Sequence, residues 1–189
     1  MRFNRLHEKT DYIVPTDYTQ TVSRFVEQLR WEDIPEAARI KAKQMVIQAV
    51  GAAVMAGKTR LSEKTEAAAL ASNGGQGGPC TSWGTGNNMS AANAALASAS
   101  RADIPNWGDS SDRGHFSTAV APAAWAAAEE KKKSGKELLT ALIAAYEVNV
   151  RIADAVQPDD AHRANGWGVT SWPIFGALLA AGKLYGLAP

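Results

Sequence analysis

Alanine-rich segments with helical spacing fill most of this 189-residue chain and constrain its fold more than any other feature. In the stretch from Thr19 to Trp31, apolar residues recur three and four positions apart, which is typical of an amphipathic helix. Comparable patterns predict further helices over 32–57, 62–75, 90–102, 117–133, 137–156 and 170–186. Only Cys80 to Trp83 is a plausible short strand. We therefore predict an all-α fold with a single helical domain over 1–189, of which 1–20 form an irregular N-terminal arm.

Several residues mark where the predicted helices begin and end. Pro35 suits a first helical turn and Gly57 a helix end, and Ser62 is a candidate N-cap for the following helix. The sequence SGKE (134–137) has the capping-box pattern, and Gly186 is expected to end the last helix. From Met45 onward the helix over 32–57 is apolar nearly all round, which predicts burial on every side.

Composition excludes several classes of function. The formal net charge of +1, without a basic stripe, argues against nucleic-acid binding. The single cysteine, Cys80, cannot form a disulfide within the chain, which favours a reducing compartment. The charged N-terminal segment lacks the apolar core of a signal peptide, and no apolar run reaches the roughly 18 residues of a membrane span. These features predict a soluble, cytoplasmic protein with no membrane partner.

The polar run NWGDSSDRGHFSTAVAP (106–122) is the strongest candidate for chemistry. His115 can give or take a proton near neutral pH, and Asp109 or Asp112 could orient its ring. Backbone N–H groups at a helix start favour a bound carboxylate, which a nearby arginine can clamp. The residues that supply these groups are Ser117, Thr118 and Arg113. The alternative is that the run is an ordinary solvated connector.

Other motifs give little support for a cofactor or a metal. MAGKT (55–59) has one residue too many after Gly51 for a phosphate-binding loop and lies at the end of a predicted helix. The three histidines, His7, His115 and His162, lie far apart in the sequence, and no two of them stand four residues apart. Neither a Gly-x-Ser-x-Gly nucleophile motif nor a histidine near Cys80 is present. We therefore predict no cofactor and no metal.

Taken in order, four stretches resemble the MmgE/PrpD family, which includes 2-methylcitrate dehydratase and cis-aconitate decarboxylase. They are FVEQLRWEDIPEAARIKAKQMVIQAVGAAVMAG, CTSWGTGNNMSAANAALASASRADIPNWGD, HFSTAVAPAAWAAAEEKKKSGKELLTALIAAYEVNVRIADAV and GALLAAGKLYGL. The resemblance covers most of the chain from about Val22. It implies a helical domain, usually dimeric, and metal-free lyase or isomerase chemistry on small di- or tricarboxylates.

The resemblance carries over to particular residues of the polar run. The family sequence Asp-Phe-Asp-Asp-Thr is matched by NWGDS, so Asn106 replaces the first acid while Asp109 is retained. The family sequence His-Pro-Ser is matched by HFS, which retains His115 and Ser117. A later family histidine has no clear counterpart in NGWGVTS (165–171); Trp167 or Gly168 stands there, and His162 lies upstream.

The resemblance also implies that part of the family's site is missing from this sequence. Family chains are much longer, and this one ends at LYGLAP, where the α+β lid domain would begin. The leading hypothesis is a subunit of a split lyase or isomerase, with a complementary lid-bearing subunit and self-association as partners. His115 and Asp109 would be catalytic. The substrate oxygens would be held by Asn106, Arg113, Ser117 and Thr118. The alternatives are a non-catalytic scaffold or regulatory subunit and, less favoured, a small-ligand binding protein.

Overall fold

The computed structural model describes residues 17–72, 74–109, 114–156, 159–166, 168 and 170–188. Eight α-helices account for most of them. The helices are α1 (Tyr18–Gln28), α2 (Glu36–Met55), α3 (Arg60–Ser72), α4 (Ala91–Asp103), α5 (Ser117–Glu130), α6 (Gly135–Val156), α7 (Asp160–Ala164) and α8 (Pro173–Tyr185). A 3-10 turn (Trp31–Asp33) joins α1 to α2. The all-α prediction is confirmed, and α1 begins inside the arm predicted over 1–20.

Helix α5 lies at the centre of the domain, packed against α4, α6 and α8. Its buried side chains are small, and most are alanine. Small side chains allow helix backbones to approach closely, and the alanine-rich sequences of α4 and α5 use this property. Larger groups fill the remaining space, including Phe116, Leu142 and Trp172 in the main cluster. Trp83 and Trp125 meet edge to face with ring centroids 5.6 Å apart.

A two-stranded antiparallel hairpin interrupts the helices between α3 and α4. Strand β1 (Cys80–Thr81) pairs with β2 (Asn88–Met89), with Cys80 opposite Met89. The sequence pattern indicated only the first strand, because the second is a two-residue segment without an apolar alternation. Cys80 and Met89 are fully buried against alanines of α3, α4 and α5. The hairpin is therefore part of the core.

The helix ends agree with the predicted signals at several places. Ser134 and Glu137 form the predicted capping box, with the Ser134 N–H donating to Glu137 Oε2 at 2.8 Å. Gly186 adopts φ +70° after α8, as a helix-ending glycine does. The prediction for Ser62 was wrong. Helix α3 begins at Arg60, and Thr59 acts as its cap by accepting the Ser62 N–H on Oγ1 at 3.2 Å.

Two other predictions are corrected by the tertiary packing. Helix α2 is not buried on every side: Ile47 is 72% exposed, and Val54 and Met55 are also exposed. Its buried residues are all alanines, whereas Val46 and Val50 are only partly buried against the core. The polar residues 157–169 were predicted to form a loop. The structure instead places the short helix α7 there, capped by the carboxylate of Asp159. Among the described residues, none of the helices is both long and apolar enough to span a bilayer.

Candidate active site

The polar loop between α4 and α5 is organised around Asp109. All four polar groups of this residue form hydrogen bonds. Its Oδ1 accepts the Ser117 N–H at 2.7 Å, and its own N–H donates to Ser117 Oγ at 3.3 Å. Asp109 is thus a side-chain cap for the first turn of α5, where a negative charge is stabilised by the helix dipole. The Asp109 carboxylate therefore occupies the position at the start of α5 where we predicted a bound substrate carboxylate.

His115 contacts Asp109 through the backbone. The imidazole Nδ1 lies 2.8 Å from the Asp109 carbonyl oxygen, and the ring is exposed on this chain. A carbonyl oxygen can only accept a hydrogen bond, so Nδ1 carries the proton in the neutral ring. The lone pair then lies on Nε2, the nitrogen farther from the loop. This arrangement provides an accessible base of defined tautomer.

Tyr146, on α6, contacts the same loop from the core side. Its hydroxyl donates to Asp109 Oδ2 at 3.1 Å. Its ring meets Phe116 edge to face, with centroids 6.1 Å apart and an interplanar angle of 81°. Burial raises the pKa of Tyr146, and the neighbouring Asp109 carboxylate raises it further, so the phenol stays protonated and keeps its donor role. Sequence reasoning missed Tyr146, which lies 37 residues from Asp109 on a helix that reads only as apolar.

The other residues predicted to hold substrate occupy different environments. Asn106 is exposed in the loop with φ +51°, a left-handed conformation that asparagine tolerates better than most residues. Ser117 is 0% exposed and Thr118 8% exposed, so both side chains lie beneath the loop. Arg113 and Asp112 lie outside the described residues.

Residues 157–169 form the second polar segment of the sequence. His162 is exposed on α7, with its Nδ1 2.7 Å from Asp159 Oδ1. Trp167, one of the two candidates for the position of the later family histidine, lies outside the described residues. Within the part of the chain that the structure describes, His, Cys, Asp and Glu side chains form no group of three or more that could hold a metal.

Cys80 is enclosed in the core and is a poor candidate nucleophile. It is 0% exposed, and its Sγ lies 3.2 Å from the Ala126 carbonyl oxygen. Burial raises the pKa of the thiol to about 11, and the nearby Glu129 and Glu130 carboxylates also raise it. Since the thiolate is the reactive form, this cysteine is chemically inert at neutral pH.

A second polar cluster, which the sequence did not reveal, surrounds Glu66 on α3. Its carboxylate accepts hydrogen bonds from hairpin groups, with donor distances of 2.7 Å for Thr85 Oγ1, 2.8 Å for Ser82 Oγ and 3.0 Å for Asn87 Nδ2. Arg101 of α4 completes the cluster, with Nε 3.4 Å from Oε2. The available signal was the spacing of Ser62, Glu66 and Ala69, which places Glu66 on the buried face of α3. This cluster fastens the hairpin to two helices.

Two cavities lie near these elements, and neither is lined by His115. The larger, about 510 Å³, lies between the ends of α1 and α8 and the start of α6. Lys183 lines this cavity, and its ammonium group already donates hydrogen bonds to the Val26, Glu27 and Leu29 carbonyls. The smaller, about 240 Å³, lies between α2 and α6, is mostly apolar, and is lined by Tyr146 on one side. The exposed His115 therefore lies outside both cavities.

The helices and the loop together define an all-α domain that carries one histidine-bearing polar loop at the start of its central helix. The MmgE/PrpD N-terminal domain matches residues 20–189, and the chain belongs to the MmgE/PrpD family. Two cis-aconitate decarboxylases from Aspergillus terreus, one of them from strain NIH 2624 / FGSC A1156, are each 26% identical to this chain over 192 residues. These matches cover 96% of this chain and 38% of each decarboxylase. The chain therefore spans less than two-fifths of the length of these relatives.

Proposed function

We propose that this chain is one subunit of a split MmgE/PrpD-type lyase or isomerase that acts on a small di- or tricarboxylate. The reaction is a proton transfer or elimination next to a carboxylate and needs neither metal nor cofactor. A second polypeptide supplies the lid and the remaining substrate-binding groups. Support for this class of reaction comes from the family membership.

The contact between His115 and Asp109 carries this proposal. The Asp109 carbonyl holds the proton on Nδ1, which leaves Nε2 as the basic atom on the exposed side of the loop. A general base needs a free lone pair on the atom that takes the proton, and it must lie within hydrogen-bond reach of that proton, directly or through one water. His115 satisfies the first requirement within this chain, and the partner's lid would bring the substrate to the ring.

The remaining roles follow from the positions of the side chains. Asp109 orients His115, since both carboxylate oxygens are already occupied by the Ser117 N–H and the Tyr146 hydroxyl. In the proposal, Asn106, which is exposed in the loop, and Arg113 hold substrate oxygens. The buried side chains of Ser117 and Thr118 support the loop from the core side.

Replacing His115 by alanine is expected to reduce turnover by about 10²-fold or more while the fold is retained, because proton transfer by a positioned group contributes about 10²–10⁴-fold. The measurement is loss of substrate, or exchange of a carbon-bound proton with deuterium, for a panel of di- and tricarboxylates with the assembled complex. His162→Ala is the matched control, since His162 is exposed on α7 and touches no residue of the loop in the described structure. Unchanged turnover for His115→Ala would remove this residue from the mechanism.

A non-catalytic scaffold or regulatory subunit is the second candidate function. The observation in its favour is that Asn106 replaces the first acid of the family motif, while the Asp109 carboxylate is committed to capping α5. Under this alternative His115→Ala leaves the activity of the complex unchanged, and substitutions on the surface that meets the partner reduce it. The two candidates therefore give opposite results in the same assay.

Two exposed apolar faces support association with other chains. On α2 the face includes Ile47, Val54 and Met55, of which Ile47 is 72% exposed. On α8 it includes Ile174 and Leu178, 67% and 62% exposed. Contiguous apolar surface of this kind marks sites where proteins bind one another. We propose that the α2 face joins copies of this chain and that the α8 face receives the lid-bearing subunit.

The self-association is expected to give a mass above the 20.0 kDa of the monomer in light scattering. Adding one charge to the α2 face with Ile47→Lys or with Val54→Lys is expected to move the α2-mediated species toward the monomer, because an interface does not bury an unpaired ammonium group. Ala71→Lys is the control, since it adds the same charge at an exposed position of α3. A wild-type chain that is a monodisperse monomer, with or without candidate partners, would contradict the association.

A further inference from the structure

His115 is flanked by two residues that one side chain of α6 holds in place. On one side, Asp109 accepts the Tyr146 hydroxyl on Oδ2 at 3.1 Å and presents its carbonyl to His115 Nδ1 at 2.8 Å. On the other side, Phe116 is adjacent to His115 in the sequence and packs edge to face on the Tyr146 ring. Tyr146 therefore contacts both ends of the short loop from which the imidazole projects.

The Tyr146 contact differs from an ordinary surface hydrogen bond because Phe116 is buried and Asp109 is bonded to two helices. Phe116 is 1% exposed, and Tyr146 lies in the middle of the 22-residue helix α6. The other carboxylate oxygen of Asp109 is held by the Ser117 N–H at 2.7 Å, at the start of α5. Two different helices therefore fix the Asp109 side chain, one through each oxygen, and with it the orientation of the residue whose carbonyl faces His115.

We infer that Tyr146 is a positioning residue for His115, acting through Asp109 to hold the imidazole in the tautomer with the proton on Nδ1. This role rests on the proposed function of His115 as the acid or base. Tyr146 itself touches neither the imidazole nor the exposed side of the loop in the described contacts. Only the hydroxyl of Tyr146 is needed for this role, because a phenylalanine side chain has the same ring without the hydroxyl.

The test is Tyr146→Phe, which removes the hydroxyl and keeps the ring that packs on Phe116. Nitrogen-15 NMR of the histidine side chains distinguishes the two neutral tautomers and is recorded at a pH alkaline enough to leave every imidazole neutral. The wild-type His115 signals, assigned by their loss in His115→Ala, are expected to show the proton predominantly on Nδ1. In Tyr146→Phe the signals are expected to shift toward the mixture of tautomers shown by a free imidazole, while circular dichroism shows an unchanged helical content.

Tyr185→Phe is the matched control, because it removes a phenol hydroxyl that is bonded to Glu130, away from the loop. It is expected to leave the His115 signals unchanged. If Tyr146→Phe also leaves them unchanged, or if the wild-type ring already shows the free mixture, the positioning role is overturned.

Turnover separates this inference from the proposed function. If His115 is catalytic, Tyr146→Phe is expected to lower kcat by about 10-fold with little change in KM, since a misplaced base weakens the transition state and not the substrate complex. A shift in the His115 signals without any turnover in wild type supports the positioning role and counts against the enzymatic one. Reduced kcat with unchanged signals overturns the tautomer role, whatever the reaction.

Discussion

Replacing Glu66 by leucine is expected to lower the free energy of unfolding by about 3–5 kcal/mol, the range observed when one partner of a buried ion pair is removed. The substitution leaves the Arg101 guanidinium, 4% exposed, without its carboxylate. It also leaves the hydroxyls of Ser82 and Thr85 without the acceptor that both now share. Urea unfolding followed by circular dichroism measures the loss.

The control for this experiment lies on the same helix. Glu63 is exposed one turn before Glu66, and Glu63→Gln is expected to change stability by no more than about 0.5 kcal/mol, as most surface substitutions do. The double variant Glu66→Leu/Arg101→Met removes both charges together. Its loss is expected to be smaller than the sum of the two single losses, because the unpaired charge that each single variant creates is absent. Additive losses would show that Glu66 and Arg101 do not interact.

The cluster also predicts how stability depends on pH. Burial opposes ionisation of Glu66, but hydrogen bonds from Thr85, Asn87 and Ser82 and the charge of Arg101 outweigh it, so the pKa lies below its ordinary value. A folded pKa below the unfolded value of about 4.3 stabilises the fold at higher pH. This contribution is lost as the pH falls through the folded pKa. The difference in stability between wild type and Glu66→Gln is therefore expected to shrink as the pH falls from about 5 to 3.

Gly176→Ala is expected to lower the free energy of unfolding by about 1–3 kcal/mol, as overpacking of a tight core does. An added Cβ would lie 2.6 Å from Val120 Cγ2 and 3.1 Å from Asn149 Cγ. Both neighbours are 0% exposed, and the valine is stiff because its side chain branches at Cβ. The Gly176 N–H also donates to Asn149 Oδ1 at 2.9 Å, so α8 cannot move away without breaking that bond.

Gly182→Ala makes the same change in the same helix and is expected to have the opposite sign. Its added Cβ would meet only Leu187 Cδ1, at an ordinary distance of 3.8 Å. Alanine is favoured over glycine inside a helix by about 1 kcal/mol, so this variant is expected to gain stability up to that amount. Thermal unfolding of the two variants compares the signs directly. Two gains of equal size would mean that α8 does not pack against α5 and α6 as described.

The helices of this protein could be predicted from local sequence because local interactions determine them. The capping box at Ser134 and Glu137 and the left-handed glycine at position 186 act within a few residues of the helix they bound. Prediction went wrong where the local sequence offered two equivalent signals or none. Ser62 was an equally good cap by residue type, but Thr59 supplies the cap in the folded chain. Helix α7 is a single short turn with no apolar periodicity to reveal it.

The contacts of the candidate site also divide into those that local sequence predicts and those that only helix packing shows. His115 and Asp109 were identified as neighbours because six residues separate them in one polar run, and the structure brings the two together. The contact uses the Asp109 backbone carbonyl, an atom that residue type does not predict. Tyr146 lies 37 residues from Asp109, and Glu66 lies 35 residues from Arg101, so only the packing of helices shows that they meet.

By itself, the sequence determined that this chain is a bundle of helices, and it predicted that one polar loop is the site of its chemistry. Alanine-rich periodicity and turn residues act over a few positions, so they can be recognised without the fold. Only the tertiary structure decided which face of α2 is exposed, which carboxylate is committed to a helix cap, and which nitrogen of His115 faces the Asp109 carbonyl. These properties depend on groups brought together from distant parts of the chain, and the energy of each contact exists only after the helices have packed.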